Sequence, residues 1–214
     1  MEAGFDLEAR ILWDAEGLIA VDKPAGWPTA GRDLDDPRCI QHLLMARCRR
    51  MVWAVHQLDA GTTGVNLFVR RKALVPVIAE RLKRGQKRYL AICHGHPSPS
   101  RQRIDAPIGW VEGERRRWVT PEGQAAVSHM EALEHLAGGM ALVRVAIETG
   151  RTHQVRIHMA SIGHPLVGED RYREPPCGLL GRQALHAHQI ELEGGPVIEA
   201  ELPQDMKALA LNKG

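Results

Sequence analysis

The chain has 214 residues, 44% of them hydrophobic and 25% charged, with only 4% aromatic and a formal net charge of +2. That length and charge content exclude wholesale disorder and allow one real, mostly aliphatic core, so a single domain is the expected organisation, with two small ones as the alternative. The four cysteines stand far apart with no CxxC pair, which excludes zinc-ribbon spacing and argues against a disulfide framework.

The N-terminal stretch MEAGFDLEAR is acidic and lacks the apolar segment of a signal peptide, and no apolar run approaches the roughly 20 residues of a membrane span. Residues 11–22 predict two short strands around the Glu16-Gly17 turn, and Lys23-Pro24-Ala25-Gly26-Trp27-Pro28 predicts a loop. Residues 38–48 predict a helix. Strands are expected over 52–56 and 65–70, and between them lies HQLDAGTTG, a loop with one carboxylate, Asp59. A helix is expected over 73–84, with Pro76 in its first turn and Gly85 as its cap.

Residues 89–94 predict another strand, and residues 96–123, with Pro97, Pro99, Pro107 and Pro121, predict loops. Strands follow over 125–136 and 140–148, the second alternating so that Ala141, Val143, Val145 and Ile147 share a buried face. After Thr149-Gly150-Arg151, Thr152 is expected to cap a helix with Val155, Met159 and Ile162 on one stripe. Strands over 185–192 and 197–201 and a helix over 204–211 complete an α+β chain with a largely antiparallel mixed sheet and flanking helices.

Charge is unevenly placed. Between Arg47 and Arg88 there are eleven basic residues against two acidic ones, Asp59 and Glu80, and Arg115-Arg116-Arg117 forms a second knot. Such clusters suit a polyanion, although solvated helix faces give the same pattern. The stretch Thr149 to His158, TGRTHQVRIH, sets a glycine turn and two arginines at a helix start, where backbone N–H groups attract anions.

Three stretches together resemble the RluA class of pseudouridine synthases: VDKPAGW, HQLDAGTTGVNLF and ETGRTHQVRIHMASIGHPLVGEDRY, with KRYLAICHG, IDAPIG and ALHAHQIEL in the expected order. The resemblance covers residues 11–206 and implies one catalytic domain, 1–214, of the pseudouridine synthase fold, with a central active-site cleft and no S4-type RNA-binding module. It implies an isomerase that turns uridine of ribosomal or transfer RNA into pseudouridine after base flipping. Asp59 matches the essential aspartate, Tyr89 the tyrosine that packs on the base and takes the C5 proton, and Arg151 the basic partner of the aspartate. Lys23, His56, Gln57, Thr63, His153 and Arg156 are expected to bind substrate. No metal or organic cofactor is implied, and a cytoplasmic monomer that needs no protein partner or membrane is expected.

The residues agree with those roles. Glycoside cleavage builds positive charge on the sugar, which a carboxylate stabilises or captures; burial raises and a nearby arginine lowers such a carboxylate's pKa. Gln57 stands where the family usually has arginine, so it loses the charge and planar fork. Thr63 replaces the usual serine. Competing readings are a synthase-like RNA-binding protein that has lost its chemistry, a small-molecule hydrolase using Asp59, and a zinc site among the eleven histidines, for which no known ligand spacing is present.

Overall fold

A computed structural model describes residues 6–31, 36–114, 116–175 and 178–211. Arg115 of the basic knot and Cys177 lie outside the described residues. The chain forms two compact units, residues 1–85 with 187–201 and residues 86–186 with 202–214. Among the described residues are twelve strands and four α-helices, and no helix is long and apolar enough to cross a membrane.

In the first unit, β1 (Ile11–Ala15) and β2 (Leu18–Lys23) form a hairpin, and β2 pairs antiparallel with β4 (Thr63–Val69). Glu16 and Gly17 both take positive φ, the geometry that a two-residue hairpin turn demands. The short β3 (Trp53–Ala54) also pairs with β4. On the other side of β4 lies β11 (Leu185–Glu191), which carries the short β12 (Val197–Glu199).

Every residue of β4 is buried because both faces of this sheet are covered. Leu18, Ala20, Val65 and Leu67 pack under Ile78 and Leu82 of α2 (Leu74–Arg84). Ile19, Val21 and Phe68 pack on the other side with Ile40 and Leu44 of α1 (Ile40–Cys48). Gly85 follows α2 as expected, but for a different reason than a left-handed cap. Its φ is −83°, and a Cβ there would sit 1.8 Å from the Glu191 carbonyl oxygen, so close approach to β11 excludes a side chain.

The second unit is built on β5 (Gln86–His94), β6 (Arg101–Asp105), β9 (Val127–Leu136) and β10 (Met140–Ile147), in the spatial order β5-β10-β9-β6 with antiparallel pairing. The alternation expected in β10 holds: Ala141, Val143, Val145 and Ile147 are all buried. They pack with Val155 and Met159 of α3 (Gln154–Ser161). The terminal helix α4 (Gln204–Leu211) places Met206 against Ile92 and Val167.

The expectation of loops over 96–123 is corrected by β6 and by a separate hairpin, β7 (Ile108–Trp110) with β8 (Arg117–Val119). β6 is the edge strand and only Ile104 of its five residues is buried, so its sequence carries no apolar alternation.

Candidate active site

The Asp59 loop is fixed by a buried ammonium. Lys23 ends β2 with 0% exposure, and a buried lysine is tolerated only when its charge is solvated by oxygen. Its Nζ donates to the carbonyls of Trp27 at 2.8 Å, Ala60 at 3.1 Å and Pro24 at 3.2 Å. The Gly26 N–H donates to the same Ala60 carbonyl at 2.9 Å. One side chain thus ties the 24–27 loop to the residue after Asp59.

A second tie comes from Thr29 and Asn66, both buried. The Thr29 hydroxyl donates to Asn66 Oδ1 at 2.8 Å and accepts from the Leu58 N–H at 3.0 Å. Asn66 Nδ2 in turn donates to the His56 carbonyl at 3.2 Å. The His56 ring faces the strand rather than solvent: its Nε2 accepts from the Leu67 N–H at 3.2 Å, which requires that nitrogen unprotonated.

Asp59 itself is half-buried; its carbonyl accepts from the Thr62 N–H at 2.9 Å, closing the turn. Gln57, two residues before it, is exposed, while Thr63 is buried at the start of β4. The adjoining Gly64 has φ +103°, and a Cβ there would meet the Ala187 carbonyl oxygen at 2.2 Å. The Thr-Thr-Gly turn therefore cannot carry a side chain at its third position.

In the second unit Tyr89 lies on β5 opposite Val145 of β10, half-buried against the cluster formed by Ala91, Val143 and Val155. Lys87, two residues earlier and on the same face by strand alternation, escaped the sequence reading. Its Nζ lies where a Cβ built on Gly150 would be 3.5 Å away, beside the turn that carries Arg151, and burial pushes its pKa down. On the opposite face, Arg88, Arg101, Arg103 and Arg144 line a basin of about 320 Å³. Arg101 and Arg144 share Glu131 there, so part of that positive charge is already balanced.

The Thr149-Gly150-Arg151 turn is organised by Gln154. Gln154 Oε1 accepts from the Thr149 hydroxyl at 2.7 Å and from the Arg151 N–H at 3.0 Å, and Nε2 donates to the Val127 carbonyl and Ser128 Oγ. The expected cap, Thr152, is corrected: the cap position is His153, at φ +58°, and it makes no side-chain cap bond, while Gln154 ties the turn before the helix rather than capping it. The Arg151 side chain donates from Nε to the Ala125 carbonyl at 2.9 Å.

Below the turn, His158 is fully buried between Ser128 Oγ (2.8 Å) and the Ala106 carbonyl (2.9 Å). Burial pushes its pKa down, so it is the neutral form whose Nε2 donates and whose Nδ1 accepts.

His153 Nδ1 and the Tyr172 hydroxyl are 2.7 Å apart. The Arg156 guanidinium lies 5.4 Å from the Tyr172 ring centre and is bound in two-pronged fashion by Glu169, at 2.8 and 2.6 Å, with Asp170 at 3.0 Å. Arg156 and Lys23, both expected to meet substrate, are thus buried and occupied with protein oxygens, where they position loops. Lys23→Met is expected to lower stability by about 2–4 kcal/mol by leaving buried carbonyls without their donor, with RNA affinity within about twofold of the parent. Equal stability with weakened RNA binding, measured by urea denaturation and fluorescence anisotropy, would return Lys23 to the substrate.

One unit thus carries a carboxylate loop anchored by Lys23 and Thr29, and the other carries Tyr89 and Lys87 on a strand and Arg151 on a turn fastened by Gln154. The chain belongs to the RNA pseudouridylate synthase family, whose family model matches residues 17–161. It is 36% identical over 213 residues to an uncharacterized RNA pseudouridine synthase of Zymomonas mobilis, covering 92% of this chain and 95% of that protein. It is 37% identical over 212 residues to ribosomal large subunit pseudouridine synthase D of Pseudomonas aeruginosa, covering 88% of this chain and 65% of that one. Three further relatives, from Bacillus subtilis and Synechocystis, are also longer, the chain spanning 62% to 71% of their length. Among solved structures, human RNA pseudouridylate synthase domain containing 1 superposes with a TM-score of 0.76 at 26% identity, covering 95% of this chain and 86% of that one. The fold is the α+β pseudouridine synthase fold expected from the sequence.

Proposed function

We propose that this chain isomerises one or a few uridines of ribosomal or transfer RNA to pseudouridine, with Asp59 acting on the ribose, Tyr89 beneath the base and Arg151 as the cationic partner. The target nucleotide leaves its helix, at a cost of a few kcal/mol, before chemistry begins. The C1′–N1 bond then breaks with its electron pair going to the uracil, and Asp59 stabilises or captures the positive C1′. The uracil turns, C5 bonds to C1′, the C5 proton passes to Tyr89, and N1 takes up a proton. Atoms and electrons balance within the substrate, so the reading requires no oxidant, metal or organic cofactor. Residues 1–214 act in this reading as one catalytic domain, monomeric and cytoplasmic.

The observation that carries the proposal is the anchoring of the Asp59 loop through Lys23, Gly26 and Thr29, which holds its backbone in place before substrate arrives. The ribosomal part draws on the name of the Pseudomonas aeruginosa relative, and the transfer-RNA part is its alternative.

The test is tritium release from ribosomal and transfer RNA transcripts labelled at uridine C5, followed by mapping of pseudouridine. Release to water from one of the two RNAs, matched by pseudouridine at a defined position, is the expected result. Tight RNA binding without release from either would overturn it in favour of an RNA-binding protein.

A further inference from the structure

The β7–β8 hairpin presents an indole and a guanidinium to solvent that none of the chemistry above uses. Trp110 is 64% exposed, the most exposed tryptophan among the described residues. Leaving so large an apolar ring in water forgoes substantial burial energy, which a binding role would recover. Directly across the hairpin is Arg117, its guanidinium carbon 5.0 Å from the Trp110 ring centre. The neighbouring Arg116 is paired with Glu114. Arg117 has the ring as its partner and, among the described residues, no carboxylate.

The hairpin is held firmly at its root. Ile108 is buried and Val119 packs beside it in a cluster with Ile157 of α3 and Tyr172, and Trp118 stacks on Tyr172 with ring centres 5.8 Å apart. Ile108 also exchanges backbone hydrogen bonds with Gln124 at 2.9 Å in each direction. The next carbonyl along, that of Ala125, is the one that receives Arg151 Nε. The Trp110–Arg117 tip thus projects from the structural element that also seats Arg151.

We propose that this tip is an RNA contact in its own right, with Trp110 stacking on an unpaired base of the substrate and Arg117 meeting the adjoining phosphate. The proposal rests on the RNA reading of the site and deepens it, since it makes single-stranded character next to the target uridine a requirement for tight binding. The chemistry suits that ligand: every base offers a π-face, and a stacked guanidinium keeps N–H groups in its plane that can point at phosphate oxygens.

The experiment measures binding by fluorescence anisotropy and turnover at saturating RNA, for a substrate with unpaired nucleotides and for a fully paired duplex. Trp110→Ala is expected to weaken binding of the unpaired substrate about 5- to 100-fold, with duplex binding within about twofold. Trp110→Phe restores most of the affinity, and Arg117→Ala lowers the salt dependence by about one phosphate contact. Turnover at saturation stays near the parent value for each variant. Unchanged affinity in Trp110→Ala, or an equal loss on both RNAs, would overturn the proposal. Because binding is read apart from turnover, a parent protein that binds RNA without turning it over would sink the catalytic reading and leave this one standing.

Discussion

Asp59→Asn is expected to lower pseudouridine formation by about a thousandfold or more, since an interaction made with the reacting centre is lost whole, while RNA affinity changes by less than tenfold. The substitution keeps size and shape and removes only the charge. The loop's backbone is held by the Lys23 ammonium at Ala60, the Thr29 hydroxyl at Leu58 and the Gly26 N–H, none of which the substitution touches. An uncharged amide cannot stabilise or capture a positive ribose carbon. Single-turnover kinetics at saturating RNA, with anisotropy for binding, separate the two quantities. A variant that turns over at the parent rate removes Asp59 from the chemistry; one that loses affinity and keeps its rate makes it a binding group.

Glu169→Gln carries the largest expected effect on stability. Glu169 has 0% exposure and Arg156 only 5%, so each is the other's main compensation for leaving water. Burial alone would push the Glu169 carboxyl up, but the bonds from Arg156 and the N–H groups of Arg171 and Tyr172 hold it below its ordinary 4.5. Replacing it leaves a buried guanidinium with only the exposed Asp170 as counter-charge, a loss of about 3–5 kcal/mol. At this chain length that lowers the melting temperature by roughly 6–20 °C. The sign of the pH dependence follows from the lowered pKa. The contribution is fully present above 4.5 and is lost as the pH falls through the lower folded value, so parent and variant converge in acid. Urea denaturation of both from pH 7 to pH 3 measures this; a gap under about 1 kcal/mol at pH 7, or one that does not narrow, contradicts it.

Much of the architecture was legible because the pattern that specifies it is local. The hairpin at Glu16-Gly17, the alternating face of β10 and the apolar stripe of α3 each depend on neighbours in sequence. What failed to show depends on partners far away. Gly85 is the cap of α2 as expected, but what excludes a side chain there is the distant Glu191 carbonyl. Thr152 looked like the cap of α3, and the cap position is His153, without a side-chain bond, after a turn that Gln154 fastens to the distant Val127 and Ser128. The β7–β8 hairpin was hidden because three-residue strands broken by prolines and arginines display no period.

The candidate site divides in the same way. Asp59, Tyr89 and Arg151 stand out in the sequence as motif positions, and their roles are those proposed above. Lys23 and Arg156 were expected to meet RNA because a cation in a nucleic-acid enzyme suggests phosphate, yet their burial and their oxygen partners are tertiary facts. Asn66 offered a usable hint: a lone amide inside the apolar run VNLFV must be satisfied, and it is, by Thr29 and His56. Lys87 could have been found by stepping two residues back from Tyr89 along the strand. Thr29 gave no signal.

The central claim is that the Asp59 carboxylate performs the isomerisation. Its most direct test is a pseudouridine map of total RNA from cells carrying the parent chain and from cells carrying Asp59→Asn at the same expression level. One or a few positions that are modified with the parent and unmodified with the variant are predicted; identical maps would contradict the account.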